Sequence, residues 1–152
     1  MSPIRARKQK PARRGMYILP SLFTAGTIAA GFYAIVQSLQ GSIIEPHHFD
    51  YAALAIGVAI PFDGLDGRIA RMTNTASEFG RELDSLADVI TFGVAPAILA
   101  YSWGFRMLPY TMDPVLRQKL VQVGAVVCFL FLICGACRLA RFNISSDAKP
   151  KN

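Results

Sequence analysis

Four stretches of the chain are apolar over about the ~20 residues that an α-helix needs to cross the ~30 Å hydrocarbon core of a bilayer. The first runs from Tyr17 to Leu39 without a charge. The second opens near Phe49, stays apolar through Phe62, then meets Asp63, Asp66, Arg68 and Arg71. The third starts near Leu83, carries Asp84 and Asp88 in its first turns and continues to Trp103. The fourth is uncharged from Leu120 to Cys137 and ends in Arg138 and Arg141. The pattern predicts an all-α fold, a polytopic transmembrane helical bundle with four spans in this chain. Met72–Leu83 reads as a short loop that makes the second and third helices antiparallel neighbours. The run from Tyr17 is too long for the apolar region of a signal peptide, and no A-x-A site comes after it. It reads as a retained span.

Composition agrees. Hydrophobic residues make up 53% of the chain and charged ones only 17%, below the usual quarter, and the mean hydropathy is +0.36. The net charge of +6 does not point to nucleic acid, because Arg5, Arg7, Lys8, Lys10, Arg13 and Arg14 crowd into one tail. A basic tail beside a long apolar body suits an anionic lipid surface. The chain divides into three regions: a basic cytoplasmic tail (1–15), a transmembrane domain (16–143) and a polar tail (144–152).

The basic residues also orient the chain. With four crossings, the N-terminal tail, the loop after the second span and the C-terminal end share one side. That side holds the six tail residues with Arg68, Arg71, Arg81, Arg138, Arg141, Lys149 and Lys151; the other holds Arg106, Arg117 and Lys119. The positive-inside rule then places both termini in the cytoplasm. His47 and His48 fall on the far side from the acids, and Tyr101, Trp103 and Tyr110 fit an interfacial aromatic belt. Cys128, Cys134 and Cys137 lie in one apolar stretch; no second pair completes a zinc site, so they read as small packing residues.

The aspartates are the unusual feature. Asp63 and Asp66 stand at i and i+3 and Asp84 and Asp88 at i and i+4, so each pair shares a helix face. Counted from Asp50 and back from Trp103, Asp63 and Asp88 lie ~20 and ~22 Å along their helices at 1.5 Å per residue, about 8–10 Å inside the boundary of a ~30 Å core. Four carboxylates there are expensive unless neutralised, and hard divalent cations with oxygen ligands neutralise them. Two such ions ~3.5–4 Å apart suit phosphoryl chemistry. Gly67 and Ala70 leave a helix face with little bulk, Gly80 sits one turn before Asp84, and Arg71 offers a fork suited to a diphosphate.

Read as a string, Asp63-x2-Asp66-Gly67-x2-Ala70-Arg71-x8-Gly80-x3-Asp84-x3-Asp88 matches every fixed position of the signature of the CDP-alcohol phosphotransferases. Within that family the chain most resembles the branch that uses serine. The resemblance spans about Leu19 to Asn143 and includes Pro20-Ser21-Leu22-Phe23-Thr24, Gly31-Phe32-Tyr33, Glu78-Phe79-Gly80 and Cys137-Arg138-Leu139-Ala140-Arg141-Phe142-Asn143. Family members usually have Asn where this chain has Ser21, and often where it has Thr27. They usually have six or more spans, so a four-span chain is expected to be truncated at its C-terminus.

The resemblance implies transfer of a phosphatidyl group from CDP-diacylglycerol to L-serine at a bacterial inner membrane, with release of CMP. It implies two Mg²⁺ or Mn²⁺ ions held by Asp63, Asp66 and Asp84, with Asp88 both at the metal site and as general base. Asp66, Gly67, Ala70, Arg71, Gly80 and Thr24 are expected to bind CDP-diacylglycerol, and Arg138 or Arg141 the serine carboxylate. A homodimer is a further expectation. The alternatives are a glycerol 3-phosphate or inositol acceptor, an intramembrane prenyltransferase, or a cation transporter.

Overall fold

The computed structural model describes residues 18–73 and 78–147, with side chains described except at 18–21, 66, 67, 69–73, 78, 146 and 147. The basic tail, the centre of the expected loop and the last five residues of the polar tail lie outside the described residues. Within them the chain is helical, and no strand occurs. In hydrocarbon each backbone N–H and C=O must be satisfied within the protein, and a helix does this without help from a neighbour.

Helix α1 (Ile18–Gln40) leads through residues 41–46 into α2 (His47–Thr73). The short connection closes on itself: the Glu45 N–H donates to Ser42 Oγ at 3.1 Å and Phe49 N–H to the Pro46 carbonyl at 3.0 Å. Gly41 is required here, since a Cβ at this position would run into the Phe49 ring. The third helical rod is made of α3 (Glu78–Asp88), a π-helical segment (Val89–Val94), α4 (Ala95–Ala100) and a second π segment (Tyr101–Arg106). Finally, α5 (Pro114–Asp147) opens with Pro in the first turn, where a missing N–H costs nothing. Its Leu116 N–H is capped by Asp113 Oδ2 at 3.0 Å.

The expected element boundaries move in an informative direction. The third helix begins at Glu78 rather than near Leu83, so Gly80 is helical. α5 continues to Asp147, taking in the first residues of the expected polar tail. Apolarity marks where a helix is inside lipid, not where its hydrogen bonds stop, so hydrophobic runs understate helix length. Among the described residues, three helices are long and apolar enough to cross a membrane, Leu22–Gln40, Phe79–Arg106 and Pro114–Ser145. α2 has 27 residues but carries Asp63, Asp66, Arg68 and Arg71 in its second half and is not among them. The protein is an all-α membrane bundle.

Its core is built from small residues. α1 contributes Thr24, Thr27, Gly31, Ala34 and Ser38, α2 Ala52 and Ala59, and the third rod Ala87, Thr91, Ala95, Ala97 and Ser102. Ala34, Ala52 and Ala95 meet at the centre, backed by Ile35, Ala55, Ile56 and Leu99. In a membrane, helices gain from close backbone approach rather than from hiding apolar surface, so small residues mark the packed faces. α1 packs along α2 and against the third rod, which in turn packs against one flank of α5. The other flanks of α5 are exposed, with Cys134 and Cys137 among them; only Cys128 is half-buried. α5 touches the bundle along a single face, and Cys134 and Cys137 lie off it.

The contacts sort the helix ends. Phe23 of α1 lies 6.4 Å from Phe62 of α2, ring to ring, and Asn143 of α5 reaches Ser85 of α3. The start of α1, the acidic half of α2, the start of α3 and the end of α5 therefore gather at one end, with Arg68, Arg81, Arg138 and Arg141. At the other end Arg106 Nη2 donates to the Gly41 carbonyl at 3.2 Å, Arg117 Nε to the Leu108 carbonyl at 3.3 Å, and His48 Nδ1 lies 2.5 Å from Gln37 Oε1. The histidines are thus remote from the acids, as their sequence position predicts.

Candidate active site

The acid end of the bundle contains the candidate chemistry. Asp63 is half-buried on α2, two residues after Pro61. Proline lacks the N–H that would bond to the Gly57 carbonyl, which loosens the helix just before the acid. Asp84 and Asp88 are half-buried on α3. Asp88 closes that helix, and the π segment begins at the next residue.

Asp63 and Asp88 meet. The two side chains lie within hydrogen-bonding reach, with Asp84 an electrostatic neighbour of Asp88. They stand in the wall of a cleft of about 250 Å³. Its remaining walls are apolar: Val89, Phe92 and Gly93 from the π segment, and Leu132, Gly135, Ala136 and Leu139 from α5. Carboxylates thus face an otherwise greasy trough, an arrangement suited to a ligand with a charged head and an apolar body.

The acids fit a hard cation. Asp88 Oδ1 is buried and has no hydrogen-bond partner among the described residues, and a buried polar atom left without one is costly. Adjacent carboxylates repel unless a proton or a cation stands between them. Oxygen donors are what Mg²⁺ and Mn²⁺ take. Among the described residues, no three acidic, His or Cys side chains close into a cage by themselves. The side chain of Asp66, the fourth expected ligand, is outside the described ones, as are those of Gly67, Ala70 and Arg71.

The remaining expected contributors stand apart from the cleft lining. Thr24 is buried on the packed face of α1 and Gly80 is half-buried on α3; neither lines the cleft. Arg138 and Arg141 are exposed on α5 at the acid end, and the cleft is lined by Leu139 between them. The apolar walls were not singled out from sequence. Leu132, Gly135, Ala136 and Leu139 fall at i, i+3, i+4 and i+7, a single helix face, and Val89, Phe92 and Gly93 repeat the start of that spacing. The signal was present but indistinct, because both helices are apolar all round.

Comparison with known proteins places the chain in a family. The chain is 42% identical over 132 residues to the CDP-diacylglycerol–serine O-phosphatidyltransferase of Helicobacter pylori strain 26695, covering 87% of this chain and 48% of that protein. It is 40% identical over 124 residues to the Saccharomyces cerevisiae protein of the same name, covering 81% and 40%. It is 36% identical over 135 residues to the Bacillus subtilis one, covering 89% and 66%. The chain therefore spans about half the length of the Helicobacter relative. No solved structure matches it. Residues 17–152 match the CDP-alcohol phosphatidyltransferase family, and the chain belongs to that family.

Proposed function

We propose that this protein transfers the phosphatidyl group of CDP-diacylglycerol to the hydroxyl of L-serine, giving phosphatidylserine and CMP. The observation that carries the reading is the meeting of Asp63 and Asp88, from two helices, in the wall of an apolar cleft. The names of the relatives support the choice of donor and acceptor.

The chemistry needs a base near the acceptor hydroxyl and positive charge near the diphosphate. Asp88, buried on one oxygen, would take the proton from serine. The serine oxygen then bonds to the phosphorus that carries the diacylglycerol, and the bond from that phosphorus to the bridging oxygen of CMP breaks. CMP leaves with the electron pair, and the proton on Asp88 is lost to water. No covalent bond to the protein is needed. Asp63, Asp66, Asp84 and Asp88 would hold Mg²⁺ or Mn²⁺, which when bound neutralise the diphosphate and stabilise the leaving oxygen. Arg71 and the small residues Gly67, Ala70 and Gly80 are assigned to the nucleotide with Thr24, and Arg138 or Arg141 to the serine carboxylate. The diacyl body would lie against Val89, Phe92, Leu132 and Leu139.

In this reading the acid end faces the cytoplasm. The concentration of Arg68, Arg81, Arg138 and Arg141 at that end supports it. The test is release of CMP from CDP-diacylglycerol in proteoliposomes, with L-serine, glycerol 3-phosphate and inositol offered in turn. Serine-dependent release supports the proposal. Release dependent on another alcohol reassigns the acceptor, and none with any alcohol overturns the reaction.

A further inference from the structure

Thr91 departs from the habit of Ser38, Thr27 and Ser85. Ser38 Oγ donates to its own helix at the Ala34 carbonyl (2.7 Å), Thr27 Oγ1 to Phe23 (3.3 Å) and the half-buried Ser85 Oγ to Arg81 (3.0 Å). Each is the common i−4 bond of Ser and Thr in helices. Thr91 Oγ1 instead crosses to α1 and donates to the Thr27 carbonyl at 2.9 Å. The residue is fully buried, and the face of α1 opposite is bare: a Cβ on Gly31 would stand 2.5 Å from Thr91 Oγ1 and 2.9 Å from its Cα.

Thr91 is also the middle of the π segment that starts immediately after Asp88. A π turn is rare, is seldom longer than one turn, and clusters at functional sites. It adds a residue to the turn, so it resets the rotation of the residues after it relative to those before it. Here the acids Asp84 and Asp88 come before it, and the cleft residues Phe92 and Gly93 lie within it. The register of this turn therefore decides whether acid and apolar wall face the same cleft.

We infer that Thr91 is a positioning residue: by bonding to Thr27 across the gap left by Gly31, it pins the π turn to α1 and thereby holds Asp88 against Asp63. The importance of that contact for turnover rests on the reaction proposed above; the geometric claim does not.

The two parts are separable by experiment. In a background with Cys128, Cys134 and Cys137 changed to Ser, Asp63→Cys and Asp88→Cys are introduced together. Their oxidation to a disulfide, with copper phenanthroline as the oxidant, is timed in membranes. Thr91→Val, which keeps the shape and loses the donor, is expected to slow cross-linking about tenfold or more. Gly31→Ala, which displaces Thr91 from the other helix, should do the same. Thr91→Ser should retain the wild-type rate, as should Gly57→Ala, where a Cβ meets nothing within 4 Å. Unchanged cross-linking in Thr91→Val, or a loss that Thr91→Ser shares, overturns the inference. So does slowing that tracks a general fall in unfolding temperature and appears equally in Gly57→Ala. In the chain with its native acids, CMP release by Thr91→Val should fall in kcat by ~10-fold with the KM for serine nearly unchanged. An unchanged kcat beside slowed cross-linking would overturn the link to turnover. If the native chain releases no CMP, the proposed reaction fails, while the cross-linking still judges Thr91.

Discussion

Asn143 Nδ2 donates to Ser85 Oγ at 2.8 Å, joining residues 58 apart in sequence. Ser85 lies between Asp84 and Asp88, and Asn143 closes the arginine-bearing segment of α5. One bond therefore ties the arginines assigned to serine to the turn that carries the acids. Hydrogen bonds between membrane helices average ~0.6 kcal/mol, with a maximum near ~1.7 kcal/mol. Asn143→Leu and Ser85→Ala should each lower stability by about that much, and the double variant should be less damaging than their sum. Thermal unfolding of the four proteins in detergent gives the coupling; strict additivity would show the contact to be idle.

Removal of divalent metal should abolish activity, and Mg²⁺ or Mn²⁺ should restore it. The reason is the paired carboxyls of Asp63 and Asp88 and the buried Asp88 Oδ1, without a partner among the described residues. The check is CMP release in excess chelator, followed by titration of each ion. Full turnover in chelator would rule out a metal role.

The acids should fail in different ways. Asp88→Asn keeps shape but cannot take a proton, so turnover should fall by ~10²–10⁴-fold while metal-dependent binding of CDP-diacylglycerol persists. Asp63→Asn or Asp66→Asn removes charge from the cage, so binding and turnover should fall together. If Asp88→Asn lost binding as completely as Asp63→Asn, the base would have to be another group.

Gly135 offers a test of the cleft. A Cβ there meets nothing within 4 Å, yet the residue lines the trough beside Leu132 and Leu139. Gly135→Leu should fold normally and narrow the path of the acyl body. The KM for CDP-diacylglycerol should rise several-fold while the KM for serine is unchanged. An unaltered lipid KM would move the acyl body elsewhere.

Gly124 makes the complementary case. A Cβ there would run into the Phe105 ring, where α5 crosses the second π segment. Gly124→Val should destabilise the bundle by ~1–3 kcal/mol through overpacking, read as a lower unfolding temperature. Its distance from the acid end predicts that activity per folded molecule is retained.

The sequence by itself determined the helical class, the four helical rods and the acidic character of one end. Hydrophobic length and the cost of an intramembrane charge are properties of a segment and its solvent, so Asp63, Asp84 and Asp88 stood out without any knowledge of their neighbours. Their spacing also placed them on shared faces. What the sequence left open was which face of each helix meets which other. α1 and α5 are apolar nearly all round, so periodicity gives them no inside. Small residues alone hint at one, and they do so for every partner equally. Only the tertiary structure decided that Thr91 spends its hydroxyl on Thr27, that Gly31 makes room for it, and that Leu132, Gly135, Ala136 and Leu139 close the cleft over the acids. The π turn after Asp88 belongs to the same class. Its extra residue has no local signature, because what holds it is packing against α1, a contact between residues 64 positions apart.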